Sequence, residues 1–160
     1  MLEPDYYCES VHTVQYDKLW EFGIRGLVFD IDNTLVAFDE EMPSQETIGL
    51  VRKLQSVGFK LCLLTNNTNR RLGQFNRNLQ LPGFANAFKP LPFGLNKAVK
   101  LLGVSPNETA MIGDQLLSDV WAGKSSGTKT VLVKPITERD FWFVKIKRVI
   151  ENRLLKKYYG

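Results

Sequence analysis

Leu27-Val28-Phe29-Asp30-Ile31-Asp32-Asn33-Thr34 runs an apolar, strand-like segment straight into two aspartates one residue apart, with a hydroxyl residue close behind. Two carboxylates at the end of a buried strand repel one another and desolvate badly, so stability alone does not account for them. A cation at that point removes the penalty, and Mg²⁺ is the simplest hard cation for oxygen donors.

Outward from this stretch, short apolar runs alternate with helix-like patterns, the mark of βα units on a parallel sheet. Residues 24–29 read as the first strand. A helix follows to Val57, with Ser44 as its N-cap and Gly58 as its stop. Residues 59–64 form a second strand ending in Thr65-Asn66-Asn67, and a polar helix covers 69–79. A short strand over 85–88 ends at Lys89-Pro90, and a helix over 93–102 closes at Gly103. Ser105-Pro106-Asn107-Glu108 has the capping-box form, so a helical turn precedes a strand over 109–112 that ends in Gly113-Asp114. Residues 116–125 are helical, Gly127 stops them, and Lys129–Val133 is the last strand. A long helix begins near Arg139, and an amphipathic helix is expected near 14–22. The fold class is therefore α/β, three-layered and Rossmann-like around a central parallel sheet. Asp30/Asp32, Thr65, Lys89 and Asp114 each follow a separate strand, at the sheet edge where ligands bind in such folds.

The 160 residues, 44% hydrophobic and 24% charged, suit one globular domain over 1–160 with its own core. No apolar run approaches the roughly 18 residues of a membrane span, and MLEPDYYCES lacks a signal pattern, so a cytoplasmic protein is expected. Cys8 and Cys62 read as reduced thiols, too few for a cysteine-rich zinc site. His12, the only histidine, lies outside every motif. The net charge of +4 resides in the tail, where residues 139–160 hold seven Lys/Arg against two Asp/Glu.

These groups suit hydrolysis of a phosphate monoester, a reaction that needs a nucleophile, a proton donor and charge neutralisation. Asp30 can attack phosphorus to give an aspartyl-phosphate. Asp32 can protonate the leaving alkoxide and later deprotonate water, provided that it is the weaker acid of the pair. Asp114 adds a hard oxygen for Mg²⁺. The Thr65 hydroxyl, the Asn66 N–H and the Lys89 ammonium can hold phosphoryl oxygens. Asp119 can orient Lys89 or a metal-bound water from behind. Taken singly, each has a plainer reading: Thr65 or Asp114 as a helix cap, Lys89 as a surface lysine, Asp119 as a helix-surface acid. An EF-hand over 30–41 fails at Leu35, which stands where glycine is required. Gly123-Lys124-Ser125 lacks the earlier glycine of a P-loop.

Together, Asp30-Ile31-Asp32-Asn33-Thr34, Leu64-Thr65-Asn66, Lys89-Pro90 and Gly113-Asp114-Gln115-Leu116-Leu117-Ser118-Asp119 resemble, in order, the four motifs of the haloacid dehalogenase (HAD) superfamily. The resemblance implies Mg²⁺ held by Asp30, the Asp32 backbone carbonyl and Asp114. Asp32 at its position implies a phosphatase rather than a dehalogenase or ion pump. The gaps from Thr34 to Thr65 and from Thr65 to Lys89 leave no room for a cap domain, so the site is open and favours large substrates. Asp32-Asn33-Thr34-Leu35-Val36, Gly113-Asp114-Gln115-Leu116-Leu117 and the tail beginning Asp140-Phe141-Trp142 are similar to the YqeG-type group of subfamily IIIA and to phosphatidylglycerophosphate phosphatases.

That finer resemblance implies a lipid headgroup as substrate. In the tail, Trp142, Phe143, Ile146, Val149, Ile150 and Leu154 fall on one helical stripe, opposite Lys145, Arg148, Asn152 and Lys156. Such a basic amphipathic helix over 139–160 can pack on its own domain or meet an anionic membrane surface peripherally. The alternatives are a phosphoprotein, nucleotide or other soluble phosphate as substrate, or an inactive phosphate- or RNA-binding module. Nucleic acid is the partner least expected, since the catalytic positions are all filled.

Overall fold

In the computed structural model, which describes residues 2–137 and 142–159, six strands form one parallel sheet. They are β1 (Tyr6–Cys8), β2 (Gly26–Phe29), β3 (Lys60–Leu64), β4 (Gly83–Phe84), β5 (Thr109–Gly113) and β6 (Lys129–Val133), in the order β1-β6-β5-β2-β3-β4. The helices are α1 (Tyr16–Glu21), α2 (Gln45–Val57), α3 (Asn69–Asn76), α4 (Phe93–Leu102), α5 (Trp121–Ser126) and α6 (Trp142–Tyr159). Among the described residues none is long and apolar enough to cross a membrane.

Strand alternation divides the core into layers. Leu27, Phe29, Leu61, Leu63 and Ile112 face α1, α2 and α3 through Leu19, Val51, Leu54 and Phe75. Val28, Cys62, Leu64 and Met111 face the other way, against Leu95, Ala98 and Leu102 of α4 and Ala122 of α5. Burial pushes the Cys62 thiol up to about 12, so it behaves as a small apolar residue. No cap domain interrupts the sheet: one helix lies between β2 and β3 and one between β3 and β4.

The expected caps are present. The Ser44 hydroxyl accepts from the Thr47 N–H, and Gly58 takes a left-handed φ of 115° where α2 ends. Three expectations shift. The strand expected over 85–88 is instead β4 at Gly83–Phe84, because Asn86 and Phe88 adopt φ of 50° and 55°, which extended backbone does not allow. The helix expected over 116–125 opens as a wide π turn over Leu116–Val120 before α5. Edge strand β1, paired with β6, was not expected at all.

Gly123, where a P-loop reading fails, is required for packing. A Cβ there would lie 2.4 Å from Thr130 Cγ2 and 3.1 Å from Thr128 Oγ1, both on the strand side of α5. Gly123→Ala should lower unfolding stability by about 1–3 kcal/mol in urea, with unchanged denaturant dependence.

Candidate active site

Asp30, Thr65 and Asp114 each follow directly on a strand, and their side chains are buried at one edge of the sheet. Beyond β2 the chain turns sharply. The Ile31 carbonyl accepts from the N–H groups of Thr34, Leu35 and Val36, and Asn33 takes a left-handed φ of 61° that asparagine tolerates. The turn brings the Thr34 hydroxyl to 3.1 Å from Asp114 Oδ1 and 3.4 Å from Asp30 Oδ2.

Lys89 reaches the same point from the loop after β4. Its ammonium donates to Asp30 Oδ1 at 2.8 Å, Asp119 Oδ1 at 2.7 Å and the Leu64 carbonyl at 3.0 Å, so all three protons are used. The loop is held rigidly: the Asn66 side chain donates to the Lys89 carbonyl at 2.9 Å and accepts from its N–H at 2.7 Å. The Ala87 N–H donates to the Thr65 carbonyl. Burial alone would lower the proton affinity of Lys89, but Asp119 and Asp30 outweigh it and hold the ammonium charged. Burial, then repulsion from Asp119, pushes the Asp30 carboxyl well above its usual range, with Lys89 opposing. Asp114 is raised by burial and Asp119, against the pull of Arg148.

Asp119 sits in the wide turn, its second oxygen accepting from the Gln115 N–H at 3.1 Å. It packs directly on Gly113, where a Cβ would lie 2.2 Å from its carboxyl carbon. Asp30, Asp114 and Asp119 each bring one oxygen within 4.8 Å of the others. Three buried carboxylates exceed the charge of Lys89 and Arg148, and their hard oxygens suit a divalent cation. The donor set therefore fits a metal.

Asp32 is not one of the three clustered carboxylates. Its carboxylate accepts from Arg71 Nε at 2.9 Å and Asn67 Nδ2 at 3.1 Å, at the partly exposed mouth. Thr65 Oγ1 accepts from the Asn67 N–H at 3.0 Å.

Arg71 and Arg148 are the site residues that sequence reasoning missed. Arg71 is buried, spans Asp32 and the Glu41 carbonyl, and keeps one buried nitrogen (Nη2) without a partner. Its position in the first turn after cap Thr68 was the available signal, indistinguishable from its neighbour Arg70. Arg148, on the basic stripe of α6 opposite the apolar one, pairs with Asp114 Oδ2. Lys147 Nζ donates to Gln115 Oε1 at 2.8 Å, and the Leu117 N–H donates to buried Glu151 at 2.8 Å. These polar contacts select the docked face of α6. Leu154 packs inward, while Val149 and Ile150 stay exposed. Trp142, Phe143, Lys145 and Ile146 of the expected stripe have side chains outside the described residues, as do residues 138–141. A cleft of ≈ 650 Å³ runs between β6 and α6 and reaches Asp114 and Arg148.

A parallel sheet that gathers buried carboxylates, a lysine and a hydroxyl at its strand ends defines a hydrolase that handles phosphoryl groups with a metal's help. The chain belongs to the haloacid dehalogenase-like hydrolases, whose family profile matches residues 36–127, just downstream of Asp30 and Asp32. Over 95% of its length it is 32% identical to the Bacillus subtilis protein named Probable phosphatase YqeG, covering 88% of that protein. It is 26% identical to Phosphatidylglycerophosphate phosphatase 1, chloroplastic, of Chlamydomonas reinhardtii, over 92% of this chain and 59% of that one. The cobalt-bound deoxy-D-mannose-octulosonate 8-phosphate phosphatase of Haemophilus influenzae shares the fold, with a TM-score of 0.61 at 17% identity over 84% of this chain and 90% of that one. The chain is an enzyme of the HAD phosphatase kind.

Gly113→Ala tests the Asp119 contact. The methyl group would displace the Asp119 carboxylate and with it Lys89, and turnover should fall by about 10²-fold or more. Circular dichroism would check that the fold survives, and full activity in the variant would contradict this account of Gly113.

Proposed function

We propose that this chain is a Mg²⁺-dependent phosphomonoesterase that works through an aspartyl-phosphate on Asp30, with phosphatidylglycerophosphate as its substrate. The observation that carries the chemistry is the placement of the Lys89 ammonium on Asp30 Oδ1, which leaves Oδ2 facing the Thr34 hydroxyl at 3.4 Å and the neighbouring Asp114 carboxyl. Oδ2 is then the oxygen free to attack phosphorus. When bound, Mg²⁺ neutralises phosphoryl charge, and Asp30, Asp114 and the Asp32 carbonyl would hold it.

The attack forms the Asp30–phosphorus bond and breaks the ester bond. Asp32, kept at the mouth by Arg71 and Asn67, gives its proton to the departing alkoxide. It then takes a proton from the water that attacks the aspartyl-phosphate, releasing inorganic phosphate and restoring Asp30. The Thr65 hydroxyl and the Asn66 N–H hold the phosphoryl oxygens through both steps, and Lys89 joins them by turning the N–H that it gives to Asp30 toward the phosphoryl group as Asp30 is esterified. Asp119 positions Lys89.

Three features support the lipid substrate: the absence of a cap, the name of the Chlamydomonas relative, and a basic final helix beside the site. Peripheral membrane contact through 139–160 belongs to the same reading. A soluble phosphate is the second reading. It is favoured by Glyceraldehyde 3-phosphate phosphatase of Pyrococcus abyssi, 30% identical over 74% of this chain, although the chain spans only 52% of that protein.

Phosphate release from phosphatidylglycerophosphate in mixed micelles, compared with release from glyceraldehyde 3-phosphate, separates the two. Turnover on the lipid should dominate, and Asp30→Asn should lower it by on the order of 10³-fold or more. Preference for the soluble ester would overturn the lipid assignment, and an active Asp30→Asn would overturn the mechanism.

Metal binding should also depend on pH. Because burial holds the Asp30 and Asp114 carboxyls above the usual 3.8, proton and cation compete for the same oxygens. The cation's stabilisation is fullest above that raised range and fades as pH falls through it. At about 100 times its Kd, Mg²⁺ should add ~2.7 kcal/mol of stability near neutral pH and clearly less near pH ~5, read as the shift in Tm.

A further inference from the structure

Phe88, Leu91 and Phe93 are 71%, 51% and 67% exposed, within six residues that also contain the buried Lys89. We propose that segment 88–93 is an interfacial docking loop that inserts its apolar side chains into the surface of an anionic lipid bilayer, holding the open site against it. The inference rests on the lipid-substrate reading above and names the loop that would bring that substrate and Lys89 together.

The exposure is not the result of a loose loop. The Asn66 side chain grips the Lys89 backbone from both sides, the Asn86 N–H donates to the Asn67 carbonyl, and the Leu91 N–H donates to the Phe88 carbonyl. Phe88 itself adopts a φ of 55°, a conformation that a bulky residue takes only under strain. Ala87 and Lys89 on either side are buried, so the strain turns the Phe88 side chain outward while its neighbours face the core and the site. A rigid, strained, apolar rim beside a phosphoryl-binding lysine suits a ligand that is anionic at its head and apolar beyond.

Charge supports a bilayer as the occupant. Lys97 lies one turn after Phe93 on α4, exposed on the same face, and Arg70 stands exposed in the first turn of α3. On the other flank, Lys147 and Arg148 reach the site edge, and Val149 and Ile150 beside them are half-exposed. Exposed Asp39, Glu40 and Glu41 lie on the turn after Asp32, which tilts the molecule so that the 88–97 side meets the surface. A second copy of the chain seated on this rim would close the mouth that a large substrate must enter.

The test compares the full chain with a Phe88→Ser, Leu91→Ser, Phe93→Ser variant. Both are sedimented with vesicles of phosphatidylglycerol in phosphatidylcholine and with phosphatidylcholine alone. Both are also assayed with Mg²⁺ on a water-soluble aryl phosphate. The unaltered chain should bind the anionic vesicles, and the variant should partition about tenfold more weakly, with aryl phosphate turnover within about twofold of the original. Equal partitioning of the two would overturn the proposal. Loss of aryl phosphate turnover in the variant would also overturn it, placing the loop in the chemistry. Dephosphorylation of phosphopeptides by an unaltered chain that ignores vesicles would do so as well. Vesicle binding that the unaltered chain shows and the variant loses, without hydrolysis of any phosphate by the unaltered chain, would instead sink the catalytic reading and support the docking loop. Phe93→Trp, which preserves the loop, should add a blue-shifted emission component on anionic vesicles, and its absence would count against insertion.

Discussion

One buried ammonium organises this molecule. Lys89 lies between Asp30 and Asp119 with no water-facing proton left, and Asp114 stands alongside. Buried carboxylates in such numbers are tolerable only with cations among them, and removing one partner of a buried pair costs on the order of 3–5 kcal/mol. The surrounding backbone answers to that demand. Gly113 gives up its side chain so that Asp119 can approach, the wide turn over Leu116–Val120 aims Asp119 at Lys89, and Asn66 fixes the loop from which Lys89 extends. The same charges fix the geometry of Asp30: Lys89 occupies its Oδ1.

The open sheet edge follows from what the chain omits. With a single helix between successive strands β2, β3 and β4, nothing folds over Asp30 from that side. Near Asp114 the cleft is walled by β6 and α6, and among the described residues α6 docks through Arg148, Lys147 and Glu151 together with Leu154 and Leu155. Burial raises the Glu151 carboxyl, and the Leu117 N–H with the neighbouring Lys147 and Arg148 offset part of that rise, so a polar contact holds this face of α6. That choice leaves Val149 and Ile150 outside.

Much of this was legible in the sequence because it depends on local rules. Apolar runs that stop at polar or charged residues mark β2, β3, β5 and β6, and Ser44, Gly58 and Gly103 mark helix ends through capping and left-handed backbone. Asp30, Thr65 and Asp114 follow from strand ends alone. What was not legible depends on tertiary contacts. β1 is three residues long and exists because β6 offers an edge. β4 falls short of Lys89 because left-handed residues at Asn86 and Phe88 end extended pairing, and phenylalanine gives no signal for that conformation. Arg71 and Arg148 look like surface arginines until a carboxylate across the fold claims them. A helix with apolar and basic sides has two ways to dock, and hydrophobic periodicity alone does not choose between them.

The strained Phe88 joins these two halves. An exposed aromatic in a left-handed conformation has no packing gain to offset its strain, so the compensation must lie elsewhere in the loop. Part of it is Lys89: turning residue 88 outward lets residue 89 turn inward to Asp30 and Asp119 within a chain already clamped by Asn66. That accounts for the backbone but not for the side chain, since a glycine or asparagine at position 88 would permit the same turn at lower cost. A large ring held outward beside the nucleophile, with Leu91 and Phe93 exposed in the same rigid segment, is best explained by an apolar medium that it enters. Catalysis and delivery would then share one constraint, because the hydrogen bonds that aim the lysine also hold the apolar rim in place.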